Sequence, residues 1–142
     1  MNMTNTATPV RIEVLISAPI EKVWRAWVTP EAITNWNFAS EDWCCPEARS
    51  DLRVGGAFSY RMEAKDKRFG FDFEGHFLKV QSPTSLHFEL ADGRTVKVEL
   101  QLTKEGTLVQ QEFEVDDDHS VDQQRQGWQS ILDSFKRYVE AS

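Results

Sequence analysis

The sequence predicts an α+β fold in which a long C-terminal helix packs across a curved antiparallel sheet of six or seven strands. Short stretches of alternating apolar and polar residues follow one another, separated by turn signals. Two short helix signals come directly after the first stretch, and one long amphipathic helix closes the sequence. The chain has 142 residues, a length typical of one domain. We place that domain at residues 10–142, behind a disordered tail over residues 1–9.

The first elements are a strand and two short helices. Residues 10–17 alternate apolar and mostly polar side chains, the pattern of a half-buried strand. Pro19 suits the first turn of a helix, and two tryptophans repeat at helical spacing behind it. Thr29 precedes a proline and a glutamate, so its hydroxyl is expected to cap a second short helix that ends near Trp36.

The next segment begins without periodicity. Residues 37–48 are interpreted as a loop, although they contain a tryptophan and two cysteines. Strands are predicted near residues 49–54 and over 57–64, with a glycine pair between them that permits a tight turn.

An aromatic stripe follows. Phe69, Phe71 and Phe73 alternate with polar residues, which predicts a strand with one aromatic face. Gly75 interrupts this pattern, as a bulge or a close approach of another backbone would.

The C-terminal half completes the sheet and adds the long helix. Alternating strands are predicted at residues 86–90, 96–102 and 107–115, with Asp92-Gly93 as the hairpin turn between the first two. The last of them alternates less cleanly. Ser120 and Gln123 match a capping box, and one apolar helical face of about five turns follows.

Composition restricts the classes of partner. The net charge is −7, so a nucleic-acid partner is not expected. No apolar run approaches the ~20 residues of a membrane helix, and no signal peptide is recognisable, so we expect no membrane partner and a cytoplasmic location. Cys44 and Cys45 are adjacent and are interpreted as two reduced thiols. No metal or cofactor site is predicted.

Several segments, taken in order, match a known pattern. They are Ala18–Trp24 with Trp27, Thr29–Glu31 with Trp36, Asp51–Phe58, Phe73–Gly75 with Val80, and Gly127-Trp128 with Leu132. Together they resemble the Aha1-type (activator of Hsp90 ATPase homologue) branch of the START-like, or SRPBCC, superfamily. The resemblance implies a helix-grip fold with an apolar cavity between sheet and C-terminal helix. It also implies that superfamily relatives bind lipids, sterols, polyketides or hormones there, and that a few are cyclases or hydrolases.

The candidate ligand-binding residues are mostly aromatic. They are Trp36, Trp43, Phe71, Phe73, His76, Phe88, Trp128, Leu132 and Phe135. Ligand pockets are mainly apolar with a few polar groups, but ordinary core packing explains each residue taken singly. Trp36 and Trp43 either form a mobile lip or pin the loop between them. Gly127 lies inside the last helix, where close packing of another element or room beside a ligand would explain it.

Three functional hypotheses follow. The first is binding of a small apolar or amphipathic molecule in an internal cavity. The second is a protein-interaction role with a chaperone partner, since the co-chaperone that names the branch binds Hsp90. The third is a cyclase-like or hydrolase-like enzyme, but the sequence has no nucleophile elbow or Gly-rich phosphate loop, and no catalytic residue is assigned. A homodimer is also left open.

Overall fold

The computed structural model describes residues 8–142, which form seven strands and three helices. In chain order these are β1 (Val10–Ile16), α1 (Ile20–Val28), α2 (Pro30–Ile33), β2 (Trp43–Ser50), β3 (Ala57–Ala64), β4 (Gly70–Gln81), β5 (Ser85–Leu90), β6 (Thr95–Thr103), β7 (Gly106–Phe113) and α3 (Val121–Ala141). The tail predicted over residues 1–9 falls almost wholly outside the described residues. Within them, no helix has both the length and the apolar character needed to span a bilayer.

All seven strands belong to one antiparallel sheet, in the order β1-β7-β6-β5-β4-β3-β2. From β2 to β7 each strand pairs with its neighbour in sequence, and β1 joins at the β7 edge. The sheet curls into a half-barrel around α3, and α1 and α2 follow the first strand. The predicted α+β helix-grip fold is therefore confirmed.

Strand β2 corrects the prediction for the middle of the chain. Residues 43–48, interpreted as loop, belong to a strand that ends at Ser50, and residues 51–56 form the turn. Pro46 has no N–H to donate, and the pairing of β2 with β3 shifts register between Cys44 and Glu47. Both irregularities are tolerated because β2 is an edge strand. They also remove the alternation of apolar and polar residues from which a strand is predicted.

Strand β4 places the aromatic side chains of the sheet. A Cβ at Gly75 would lie 2.0 Å from the Glu89 carbonyl oxygen, so the glycine permits a close approach of β5. The bulge lies further on, between Phe77 and Lys79, and changes the phase of the strand. Phe69 precedes β4, and 68% of its surface is exposed. Phe69 was predicted to belong to the aromatic stripe, but its exposed side chain lies outside the cavity lining, which corrects that prediction.

Helix α3 begins as its sequence predicts. The Ser120 hydroxyl accepts from the Gln123 N–H, and the Gln123 side chain accepts from the Ser120 N–H, so the capping box is present. By contrast, the Thr29 hydroxyl makes no capping hydrogen bond to α2, which corrects that expectation. The fixed start of α3 decides which of its side chains face the sheet.

Candidate functional site

A cavity of about 400 Å³ lies between the concave face of the sheet and the N-terminal half of α3. Its walls come from β3, β4, β5 and β7, from the two tryptophans of the α1–α2 region, and from the inner face of α3. The lining side chains Ala39, Phe71, His119 and Gln123 are exposed, and they mark the mouth. The volume is within the range of small-molecule sites, roughly 300–1,000 Å³.

Aromatic side chains are the largest group in the cavity lining. The Trp128 ring on α3 stacks on Phe113 at 4.4 Å and meets the edge of Phe73 at 6.0 Å. Phe88 then lies edge-on to Phe58 at 5.2 Å. Alternate residues of a strand share a face, and so β3, β4 and β5 deliver these rings to one side of the sheet. The wall is a connected set of ring contacts, each with the offset or edge geometry that aromatic pairs favour.

Six of the nine sequence-predicted site residues line this cavity. They are Trp36, Trp43, Phe71, Phe73, Phe88 and Trp128. They come from the segment after α2, from β2, β4 and β5, and from α3, and the curl of the sheet brings them together. Their role in ligand binding stays a prediction.

The other three lie elsewhere. His76 faces the outer side of the sheet, where its Nε2 atom is 3.3 Å from a Glu89 carboxylate oxygen. Leu132 and Phe135 are completely buried below the cavity. Phe135 meets the edges of Trp27 and Trp36, with ring centres 4.7 Å apart in both cases. From Leu132 onward, the inner face of α3 therefore packs in the hydrophobic core and does not line the cavity.

The two tryptophans beside the predicted loop have different positions. Trp36 is 3% exposed, and its indole N–H donates to the Ala26 carbonyl oxygen at 2.9 Å. It anchors the segment after α2 to α1. Trp43 is half-buried at the start of β2, with its ring 6.1 Å from Phe71 near the mouth. Trp36 therefore pins its segment to the domain. Trp43 lies near the mouth, the position expected of a lip.

Sequence reasoning missed the polar groups of the cavity. Gln111 lies on β7 between the inward-facing Val109 and Phe113, and its side chain lines the cavity. The Tyr60 phenol also lines it, and burial, with a smaller contribution from Cys45, raises the pKa of Tyr60 above its ordinary value. The only sequence signal was the imperfect alternation of the last strand, where Gln111 takes an apolar position.

Near the start of α3 the charges are paired. The Arg94 guanidinium lies 2.9 Å from a carboxylate oxygen of Asp92 and 3.8 Å from one of Asp116. Burial raises the pKa of Asp116, but hydrogen bonds from the Asp118 N–H and from His119 outweigh it and hold the pKa below its usual range. The single cation Arg94 therefore faces two carboxylates.

Gln124 joins this polar end to the helix. Its side-chain oxygen accepts from the Asp116 N–H at 2.8 Å, and its NH2 group donates to the His119 carbonyl oxygen at 2.9 Å. The segment before α3 is thereby held against the first turns of the helix.

A serine, a histidine and a glutamate meet on the outer face of the sheet. The Ser85 hydroxyl donates to the Glu99 carboxylate at 2.7 Å, and the His87 Nε2 atom approaches the same oxygen. A catalytic triad needs one histidine nitrogen toward the serine and the other toward the acid. Here Nε2 faces both, so the cluster is a hydrogen-bonded tie between β5 and β6.

Cys44 and Cys45 are free thiols in β2. Burial raises the pKa of the Cys45 thiol to about 11, with the neighbouring Cys44 adding to the effect. A thiol with this pKa stays protonated near neutral pH and is a poor nucleophile.

Gly127 has room beside it. It lies one helical turn from Gln124 and Ile131 on the cavity side of α3, and an added Cβ would meet no atom within 4 Å. Close packing therefore does not explain this glycine. Room beside a ligand, the other explanation offered by the sequence, is consistent with its surroundings.

Replacing Gly127 by alanine should stabilise the protein. Gly127→Ala is expected to raise the free energy of unfolding by up to about 1 kcal/mol, because glycine is a poor residue for a helix interior. Urea denaturation measures the change, with Gly75→Ala as the contrasting variant. That variant should be destabilised, because its Cβ would lie 2.0 Å from the Glu89 carbonyl oxygen. A loss of stability in Gly127→Ala would contradict the described surroundings.

Comparisons with known proteins agree with the architecture. An AHSA1-like protein from Aeromonas hydrophila, solved by NMR, is 49% identical and has a TM-score of 0.89, covering 94% of this chain and 92% of its own. Chr148 from Cytophaga hutchinsonii is 37% identical with a TM-score of 0.81, covering 94% and 92%. CV1439 from Chromobacterium violaceum, at 23% identity, a TM-score of 0.82 and coverage of 94% and 99%, shows similarity of fold alone. Among curated proteins, none matches the chain.

The family comparison covers most of the chain. Residues 17–140 match the family described as "Activator of Hsp90 ATPase homolog 1-like protein". This range runs from the end of β1 almost to the end of α3 and includes every wall of the cavity. The chain therefore belongs to the Activator of Hsp90 ATPase homologue 1-like family, within the START-like superfamily.

Proposed function

We propose that the protein binds a small hydrophobic or amphipathic molecule in the cavity between the sheet and α3. The observation that supports this most strongly is the cavity itself, about 400 Å³ in volume and lined by ten aromatic side chains. A ligand that covers such a wall gains about 25 cal/mol for each Å² of apolar surface removed from water. The site is thus suited to a molecule with a substantial apolar body.

The polar groups agree with an amphipathic ligand. Tyr60 and Gln111 lie among the rings, while Arg94, His119 and Gln123 lie toward the polar end. A few placed polar groups in a mainly apolar pocket fix the orientation of a ligand and supply specificity. One end of the ligand would remain near the exposed residues of the mouth.

Ligand screening tests this function. Apolar and amphipathic compounds are added to the purified protein and the thermal midpoint of unfolding is measured, while native mass spectrometry examines protein from its own host. A bound ligand at 100 times its Kd should add about 2.7 kcal/mol to the free energy of unfolding. We expect a rise of several degrees for at least one class of compound. Unchanged midpoints for all compounds, with no co-purified small molecule, would contradict the proposal.

A protein partner is the second candidate. The family description names the Hsp90 ATPase, and the exposed apolar side chains of the described residues include Leu52, Val54 and Leu78. The turn that contains Leu52 and Val54 is hydrogen-bonded to β4, because the Gly55 N–H donates to the Phe77 carbonyl oxygen at 2.8 Å. Calorimetric titration with Hsp90 tests this candidate, and the absence of binding at high micromolar concentration would contradict it.

A further inference from the structure

One side chain inside the cavity is polar where its neighbours are apolar. Gln111 is 5% exposed and lies on β7 opposite Ile12 of β1 and Val98 of β6. Val109 and Phe113, the adjacent inward positions on the same strand, are completely buried. The Gln111 side chain therefore lies within the apolar interior, and it lines the cavity.

The Gln111 carboxamide makes no hydrogen bond to any of the residues 8–142 that the structure describes. Its neighbour Gln110 differs: it faces the outer side of the sheet, and its NH2 group donates to the Glu13 carboxylate at 3.3 Å. The amide is open to the cavity, and a ligand that covered it without offering a partner would incur a cost on the order of 1–3 kcal/mol. An unpaired amide that lines a cavity is a group that a ligand can satisfy.

The electrostatics of the cavity disfavour a negatively charged ligand. Arg94 lines the cavity and could attract an anion, but the carboxylates of Asp92 and Asp116 already lie beside its guanidinium group. The Tyr60 phenol stays neutral, since burial raises its pKa. The chain as a whole carries a net charge of −7, which also repels anions.

We propose that Gln111 determines ligand specificity by hydrogen bonding to an uncharged carbonyl, hydroxyl or carboxamide group on an aromatic or polycyclic ligand. This assignment rests on the proposed function of the cavity. The carboxamide offers both a donor and an acceptor, so it matches a neutral group that can accept, donate or do both. A carboxylate of the same shape would lose its hydration without meeting an unpaired cation.

Three probes of similar shape test the assignment. They are 2-naphthamide, 2-naphthoate and 2-isopropenylnaphthalene, which present a neutral polar group, a negative charge and an apolar group. Calorimetric or fluorescence titration gives a Kd for each. The wild-type protein should bind 2-naphthamide about tenfold more tightly than 2-naphthoate, which corresponds to about 1.4 kcal/mol.

Variants then isolate the side chain. Gln111→Leu should weaken 2-naphthamide binding about tenfold and leave 2-isopropenylnaphthalene binding unchanged or tighter. Gln111→Met keeps a side chain of similar volume and removes the amide, so it separates the lost hydrogen bond from a change in packing. Gln110→Leu is the matched control, because it removes the same side chain from the outer face, and its Kd values should equal those of the wild type. Thermal denaturation confirms that each variant is folded.

The outcomes separate this inference from the proposed function. Equal affinities of the wild type for 2-naphthamide and 2-naphthoate would overturn the role of Gln111, as would unchanged 2-naphthamide binding in both Gln111 variants. If Gly127→Trp, which places an indole in the cavity, still abolished binding of all probes, the cavity would remain the binding site. Failure of the wild type to bind any of the three probes would overturn the assignment of Gln111, whereas the proposed function is contradicted by the wider ligand screen.

Discussion

Gly127→Trp is expected to abolish binding of apolar ligands while leaving the protein folded. An added Cβ at this position meets no atom within 4 Å, and the residue lines the cavity, so the indole would enter the space proposed for the ligand. The substitution also removes a glycine from a helix interior, which favours the folded state. Titration with N-phenyl-1-naphthylamine, a neutral fluorescent probe, should show at least about a hundredfold loss of affinity, or about 2.8 kcal/mol.

The control for this variant lies at the neighbouring position. Gln126 is exposed on the surface of α3, outside the cavity. Gln126→Trp adds the same indole to the helix, and its affinity for the probe should equal that of the wild type. Tight probe binding by a folded Gly127→Trp protein would place the ligand somewhere other than this cavity.

Phe135→Ala is expected to cause the largest loss of stability. Phe135 is completely buried, and its ring contacts the edges of Trp27 and Trp36 with ring centres 4.7 Å apart. Replacement of a buried phenylalanine by alanine typically lowers the free energy of unfolding by about 3–5 kcal/mol, through lost transfer energy and the void that remains. This contact joins α3 to α1 and to the segment after α2, so its loss weakens the packing below the cavity.

Chemical denaturation measures this change, and Phe69→Ala provides the control. Phe69 is 68% exposed, and surface substitutions away from special features usually change stability by less than about 0.5 kcal/mol. The same phenylalanine-to-alanine change is thus compared in the core and on the surface. A loss below about 1 kcal/mol in Phe135→Ala would contradict the tight packing described for this region.

Much of the fold could be predicted because local signals and tertiary structure agree. Val96, Val98 and Leu100 alternate inward as their pattern predicts, and Asp92-Gly93 forms the turn before them. Strand β2 could not be predicted, because its bulge and Pro46 remove the alternation that identifies a strand. The pairing that makes it a strand comes from β3, which local sequence does not reveal.

The site residues could be predicted where the sequence shows which face of a strand each side chain lies on. Phe71, Phe73 and Phe88 line the cavity, since the inward face of each strand was identified by its rings. His76 was misplaced because a change of one position moves a side chain to the other face. Gln111 was missed because a polar residue in a strand ordinarily indicates the solvent side, and only the completed sheet shows this one facing inward.

The most direct test of the central claim is the location of a bound neutral ligand. Nuclear Overhauser effects between N-phenyl-1-naphthylamine and the side chains of the labelled protein give that location. We predict contacts from the probe to Phe88, Trp128 and Ile131, which line the cavity from both the sheet and α3. Contacts confined to the exposed side chains Val54 and Leu78, with none to the cavity wall, would contradict the account.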